Sequence, residues 1–231
     1  MLVEDQFQRN LTELRNEIGG FCSEFNRSPE EVVLLPVTKK WPVEAVRFCK
    51  NAGIRSIGEN RVQDALAKQT EISGVEWELI GHLQSNKINQ AIGKFERIQT
   101  VDSLKLLNKL QAAAERLELR QKILIQVNSG EDPAKFGLLL GEVDEFLERA
   151  LGCPNLITEG FMTIAPYAPE NPSVAQRTFA RLRELRDRLN DDFQVDLSEL
   201  SMGMSGDLRE AIESGSTMVR VGTALFGSRE Q

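Results

Sequence analysis

Apolar residues recur at spacings of three and four through Val3, Phe7, Leu11, Leu14, Ile18, Cys22 and Phe25, which predicts an amphipathic helix over residues 1–26 that packs on the rest of the molecule. The pattern then changes. Residues 32–38 form a short apolar run without polar alternation, as expected of a parallel strand buried on both faces. Pro36 is awkward inside it, because proline donates nothing to a ladder.

From there strand, turn and helix repeat. The helix after the first strand starts near Pro42 and stops near Asn51, Ala52 and Gly53. Further strands are expected at 56–59, 77–83, 97–101, 122–128, 156–164, 197–201 and 218–221. Helices fall between them at about 62–72, 86–94, 103–118, 139–151, 173–190 and 207–214. Eight strands separated by seven helices imply parallel neighbours with right-handed crossovers, and their number favours closure into a (β/α)8 barrel over an open doubly wound sheet. The sequence ends within ten residues of the last strand, too few for a full eighth helix, so the N-terminal helix is expected to cover that gap. No Pro/Gly/Ser linker divides the chain, and one domain spanning residues 1–231 is the expectation.

Composition narrows the function. Lys and Arg number 28 against 35 Asp and Glu, a net charge of −7, which argues against a nucleic-acid footprint. The arginine-rich stretch from Arg177 to Arg188 carries Glu184 and Asp187 and reads as a solvated helix face. Cys22, Cys49 and Cys153 are widely separated and odd in number, so neither a disulfide framework nor a metal site is expected. The start of the chain has no signal-peptide pattern and no stretch is long and apolar enough for a membrane span, so a cytoplasmic protein is expected. Aromatics make up 6% of the chain, with one tyrosine, which excludes any mechanism needing several tyrosines.

In such a barrel the chemistry lies at the C-terminal ends of the strands, with anions bound beside the last two. Polar residues collect there: Thr38, Lys39 and Lys40; Glu59 and Asn60; His82, Gln84, Asn86 and Lys87; Gln126 and Asn128. A strand-end lysine is able to form a Schiff base with a carbonyl, although both alternating sets of the first strand are apolar and leave open whether Lys39 or Lys40 faces inward. The loop from Ser201 to Asp207 and the segment from Arg220 to Ala224 place small residues and the Ser205 and Thr223 hydroxyls where a phosphate would bind. Ser205 also reads as a helix N-cap.

Five stretches together resemble the pyridoxal phosphate homeostasis protein family: PVTK at 36–39, IGENRVQ at 57–63, LIGHLQSNK at 79–87, LSMGMS at 200–205 and VRVGTALFG at 219–227. The resemblance implies a single barrel like the N-terminal domain of alanine racemases, carrying pyridoxal 5'-phosphate (PLP). It also implies Lys39 as the Schiff-base lysine and Asn60 as a residue lining the cofactor ring. Ser205, Gly222 and Thr223 become the phosphate cup, Arg220 the partner of the pyridine nitrogen and Met204 an apolar neighbour.

Arg220 is a permanent donor and would hold the ring nitrogen unprotonated, weakening carbanion chemistry. The resemblance places the second proton-transfer group of racemases on a tyrosine from a partner subunit; here Tyr167 stands alone, in the loop after the sixth strand. His82 reads as a rim histidine, and Glu59 is open between ion pairing and catalysis. These features lead to a monomeric PLP carrier or buffer without robust enzymatic activity, passing cofactor to apo PLP-dependent enzymes. A weak PLP-dependent amino-acid racemase or lyase, and a PLP-free Schiff-base aldolase, are the alternatives.

Overall fold

Eight short strands alternate with helices along residues 3–227, the part of the chain that the structure, a computed structural model, describes. Residues 1, 2 and 228–231 of the expected domain lie outside it. The order is α1 (Glu4–Glu24), β1 (Val33–Pro36), α2 (Val43–Asn51), β2 (Ser56–Glu59), α3 (Val62–Gln69), β3 (Glu76–Leu79), α4 (Ile88–Ala91), β4 (Arg97–Val101) and α5 (Leu104–Arg116). It continues through β5 (Gln121–Gln126), α6 (Val143–Leu151), β6 (Leu156–Met162), α7 (Pro172–Phe193), β7 (Glu199–Ser201), α8 (Leu208–Glu213), β8 (Met218–Val221) and α9 (Thr223–Phe226). All hydrogen-bonded neighbours are parallel, in the order β1-β8-β7-β6-β5-β4-β3-β2. The ring closes through a bridge between Val37 and Gly58, which makes the architecture the expected (β/α)8 barrel.

That seam explains the proline. Val33 N and Val37 N donate to Thr217 O and Val221 O of the β8 side, each at 2.8 Å, whereas Thr38 N turns the other way, to Gly58 O at 3.0 Å. Pro36 shares the parity of Thr38. Its missing N–H therefore falls on the β2 side, where the described seam is bridged only beyond it, at Val37 and Gly58.

The sequence expectation overshoots several ends. The strand expected at 77–83 is Glu76–Leu79, starting one residue earlier and ending four earlier, because Ile80 and Leu83 are buried in the loop that follows it. The expected helix at 86–94 shrinks to a 3-10 turn, Ser85–Lys87, and the single turn of α4, with Gly93 left-handed at φ 68°. A one-turn helix, α9, stands where a plain turn is expected after β8.

The main apolar core fills the layer between strands and helices, through residues such as Phe161, Phe179, Leu107 and Leu110. Inside the barrel only a small apolar group, Leu35, Val37, Ile80 and Met218, forms a separate cluster. The rest of the interior is a hydrogen-bonded column. Arg97 donates to both Glu78 oxygens at 3.1 and 3.0 Å and to Glu159 at 3.0 Å. Gln99 donates to Glu78, and Ser201 Oγ donates to Gln99 Oε1 at 2.7 Å. Burial lowers the Arg97 pKa, but its bonds to Glu78 and the charges of Glu78, Glu199 and Glu159 outweigh that and raise it overall.

The N-terminal helix takes the place of a full eighth barrel helix. Phe7 stacks on Phe226 of α9 with centroids 5.7 Å apart and tilts against Phe48 of α2 at 5.8 Å, while Asn10 Nδ2 donates to Leu225 O at 3.0 Å. Phe7 is fully buried. Phe7→Ala is expected to destabilise the fold by about 3–5 kcal/mol, from lost transfer energy plus the cavity left behind. Urea unfolding reads this; an unchanged midpoint would show that α1 is not part of the folded unit.

Candidate functional site at the barrel mouth

The C-terminal ends of the strands enclose a cavity of about 420 Å³. Lys39, Asn60, Met204, Ser205, Arg220, Gly222 and Thr223, the seven residues singled out in the sequence, all line it. They come from the ends of β1, β2, β7 and β8, so the curvature of the sheet brings together positions 39 and 223.

A turn places the lysine. Trp41 N donates to Thr38 O at 3.0 Å, with Lys40 left-handed at φ 62°. Val37 and Lys39 both line the cavity, while Thr38 between them turns outward. Thr38 Oγ1 donates to Glu59 Oε1 at 2.8 Å, and Lys68 Nζ donates to Thr38 O at 2.8 Å. Lys68 also pairs with Glu59, whose second oxygen accepts from Asn60 N at 3.3 Å. Glu59 is 0% exposed and does not line the cavity, so its role is ion pairing. One buried pair thus anchors the residues that precede both Lys39 and Asn60.

The opposite side rests on Arg220, which is 4% exposed. Its Nη1 donates to Ser201 Oγ at 2.8 Å and its Nη2 to Thr163 O at 2.7 Å. Burial brings its pKa down to about 10, against the raising fields of Asp207 and Glu78, and it stays a cation at neutral pH. Asp207, not Ser205, occupies the N-cap position of α8, and its carboxylate accepts from Met204 N. Ser205 Oγ instead accepts from Ala224 N at 3.4 Å, tying the two loops together. Gly203 sits at φ 97° where a Cβ would lie 2.4 Å from Ala211 Cβ, and a Cβ on Gly81 would lie 2.0 Å from Asn60 O. Only glycine permits either approach.

The third wall was less legible. His82 stacks on Phe136 with centroids 4.3 Å apart and planes at 16°, and its Nδ1 lies 3.6 Å from Asp102 Oδ2. Burial raises the Asp102 carboxyl, with His82 pulling the other way. Gln126 donates from Nε2 to Phe136 O at 3.1 Å, and its buried Oε1 has no partner among the described residues. Gln126 carried the strand-end signal. Phe136, 60% exposed in the loop between β5 and α6, carried none, nor did Lys68 or Asp102 as partners. Tyr167 is 89% exposed and outside the cavity lining.

Chemically the cavity holds a lysine amine able to condense with a carbonyl, a buried cationic donor, and a two-loop cradle of hydroxyls and small residues suited to a phosphate.

The alanine racemase N-terminal domain family matches residues 5–230. A pyridoxal phosphate homeostasis protein of Aquifex aeolicus is 39% identical over 222 residues, 95% of this chain and 97% of its own length. The chain belongs to the pyridoxal phosphate homeostasis protein family. The Escherichia coli member is 37% identical, with 96% of each chain covered. The structure of PipY from Synechococcus elongatus with PLP bound superposes at TM-score 0.81, with 36% identity, covering 91% of this chain and all of that one. Alanine racemase of Clostridium difficile shares the fold at TM-score 0.81 and 15% identity, matching 98% of this chain but 58% of its own.

Four of the five arginines of α7 pair with acids, among them Arg181 with Glu131 at 3.0 Å and Arg188 with Asp144 at 2.7 Å, as a solvated face does. The described cysteines are free, and burial pushes the Cys49 thiol up to about 12. No described helix is long and apolar enough to cross a membrane, and no described cluster of His, Cys, Asp and Glu could hold a metal.

Lys68→Met leaves Glu59 charged and unpaired in the barrel wall, and is expected to destabilise the fold by about 3–5 kcal/mol. The double variant Lys68→Met/Glu59→Leu is expected to recover most of that loss in urea unfolding. Equal midpoints for wild type and Lys68→Met would remove the pair from its anchoring role.

Proposed function

We propose that this chain binds PLP with Lys39 as its Schiff-base lysine, and acts in PLP homeostasis as a carrier or buffer rather than as a robust enzyme. The observation that carries the reading is the convergence of Lys39, Arg220, Ser205 and Thr223 on one cavity of about 420 Å³, within a family that includes a PLP-bound structure. The residues present fit the group. A Cβ on Gly206 would meet no atom within 4 Å, so the loop beside Ser205 leaves room for a phosphate. PLP supplies an aldehyde and an electron-poor ring.

The chain's residues act on these parts separately. Ser205, Gly222 and Thr223 hold the phosphate, Asn60 and Met204 border the ring, and Lys39 offers the amine. Arg220 donates toward the ring nitrogen. It remains protonated at neutral pH, so it offers no proton acceptor there, and a ring nitrogen facing it stays unprotonated. That weakens the ring as an electron sink and favours holding cofactor over carbanion chemistry.

Two further observations support the non-enzymatic side. Tyr167, the sole tyrosine, is outside the cavity lining. The relatives from Aquifex aeolicus and Escherichia coli are named for PLP homeostasis rather than for a reaction. Recipients in this reading are apo PLP-dependent enzymes, and the protein works as a monomer in the cytoplasm.

Wild type mixed with PLP is expected to show a Schiff-base absorbance band that Lys39→Ala lacks, and to restore activity to an apo-enzyme. The absence of the band in wild type would sink the cofactor assignment. Turnover of amino-acid enantiomers that Lys39→Ala abolishes would replace the carrier with an enzyme, and a sedimentation coefficient above that of a monomer would correct the assembly state.

A further inference from the structure

A second and larger groove, of about 600 Å³, adjoins the barrel-mouth cavity and shares Asn60, Gly81 and His82 with it. It runs between the loops that follow β2 and β3, and its wall carries Arg61, Lys87 and His82 together with the amides of Gln63 and Gln84. No carboxylate lines it. That is unusual in a chain of net charge −7, in which 35 acidic residues outnumber 28 basic ones.

Among the described residues neither Arg61 nor Lys87 forms an ion pair, as is also true of several other surface cations, so no carboxylate neutralises the groove wall directly. The nearby acid, Asp102, faces His82 Nδ1 at 3.6 Å and lies outside the groove lining. Like charges gathered on one concave wall repel each other, and low-dielectric walls focus their field into the space between them. The arrangement favours an anion there. Arg61 brings a planar fork that matches carboxylate or phosphate oxygens, Lys87 a point charge, and the amides can bond neutral polar atoms.

We infer that this groove binds a small organic anion, through its carboxylate or phosphate, beside the ligand of the barrel-mouth cavity. The inference rests on the PLP reading for what that neighbouring ligand is. The groove follows β2 and β3, while the Ser205, Gly222 and Thr223 cradle follows β7 and β8, and Lys39 at the end of β1 lies between the two sides. The fold thus carries two anion sites flanking one amine. The groove's volume exceeds that of an inorganic ion and is the size used for metabolite-like ligands, about 300–1,000 Å³. A carboxylate would come from an amino or oxo acid, and a phosphate from a second molecule of a phosphorylated pyridoxal-type compound; both use the same two cations.

The test is calorimetric titration of PLP-loaded full-length protein at low salt with two probes, inorganic phosphate and L-glutamate. Loading fills the phosphate cradle, so further binding reports on the groove. Arg61→Gln and Lys87→Gln are each expected to weaken the bound probe about tenfold, and the double variant to abolish it, with the Schiff-base band unchanged in all three. Binding of phosphate alone, glutamate alone, or both, each lost in the double variant, supports the site and identifies its anion. Probes that bind the double variant as tightly as wild type, or do not bind wild type, overturn it. A wild type without the Schiff-base band counts against the cofactor reading, and the loss of probe binding in the double variant is then read on the unloaded protein.

Discussion

Arg220 sits almost wholly out of water at the floor of the barrel mouth, paired with no carboxylate among the described residues, and much of the interior is arranged around that charge. An isolated buried guanidinium is costly, and the cost falls only where its N–H groups meet acceptors of fixed orientation. Ser201 and Thr163 provide two such acceptors. Ser201 is in turn oriented by Gln99, Gln99 by Glu78, and Glu78 by Arg97 near the other end of the barrel. The column satisfies each buried group through its neighbour.

Lys39 is positioned by a different device. Its neighbour Thr38 is held from outside the strand ring by Glu59 and Lys68, so the amine enters the cavity from a segment anchored behind it. The cavity therefore has two rigid sides, one at β1 and β2 and one at β7 and β8. Between them the third wall is looser: Phe136 is exposed, stacked on a half-exposed His82.

Much of this was legible along the chain. The run of apolar strands and amphipathic helices specified the barrel, and the polar strand ends located its mouth. The family resemblance named Lys39, although strand parity alone could not separate it from Lys40, because both alternating sets of the first strand are apolar. Ser205 was misleading for a related reason. A serine shortly before a helix has the composition of a cap, yet Asp207 takes that position and Ser205 reaches Ala224. Strand ends were overestimated where loop residues such as Leu83 are themselves buried.

What the amino-acid sequence by itself determined is the order of elements, the barrel and the end of it that carries chemistry, since periodicity and turn residues act over a few neighbours. Tertiary structure alone decided that Glu59 is neutralised by Lys68, that Asp102 supports His82, that Phe136 stacks on His82 at the mouth, and that Arg61 and Lys87 share a groove. Each of these joins positions on different loops or elements. Their meeting depends on the curvature that closes eight strands into a ring, and no local pattern encodes that distance.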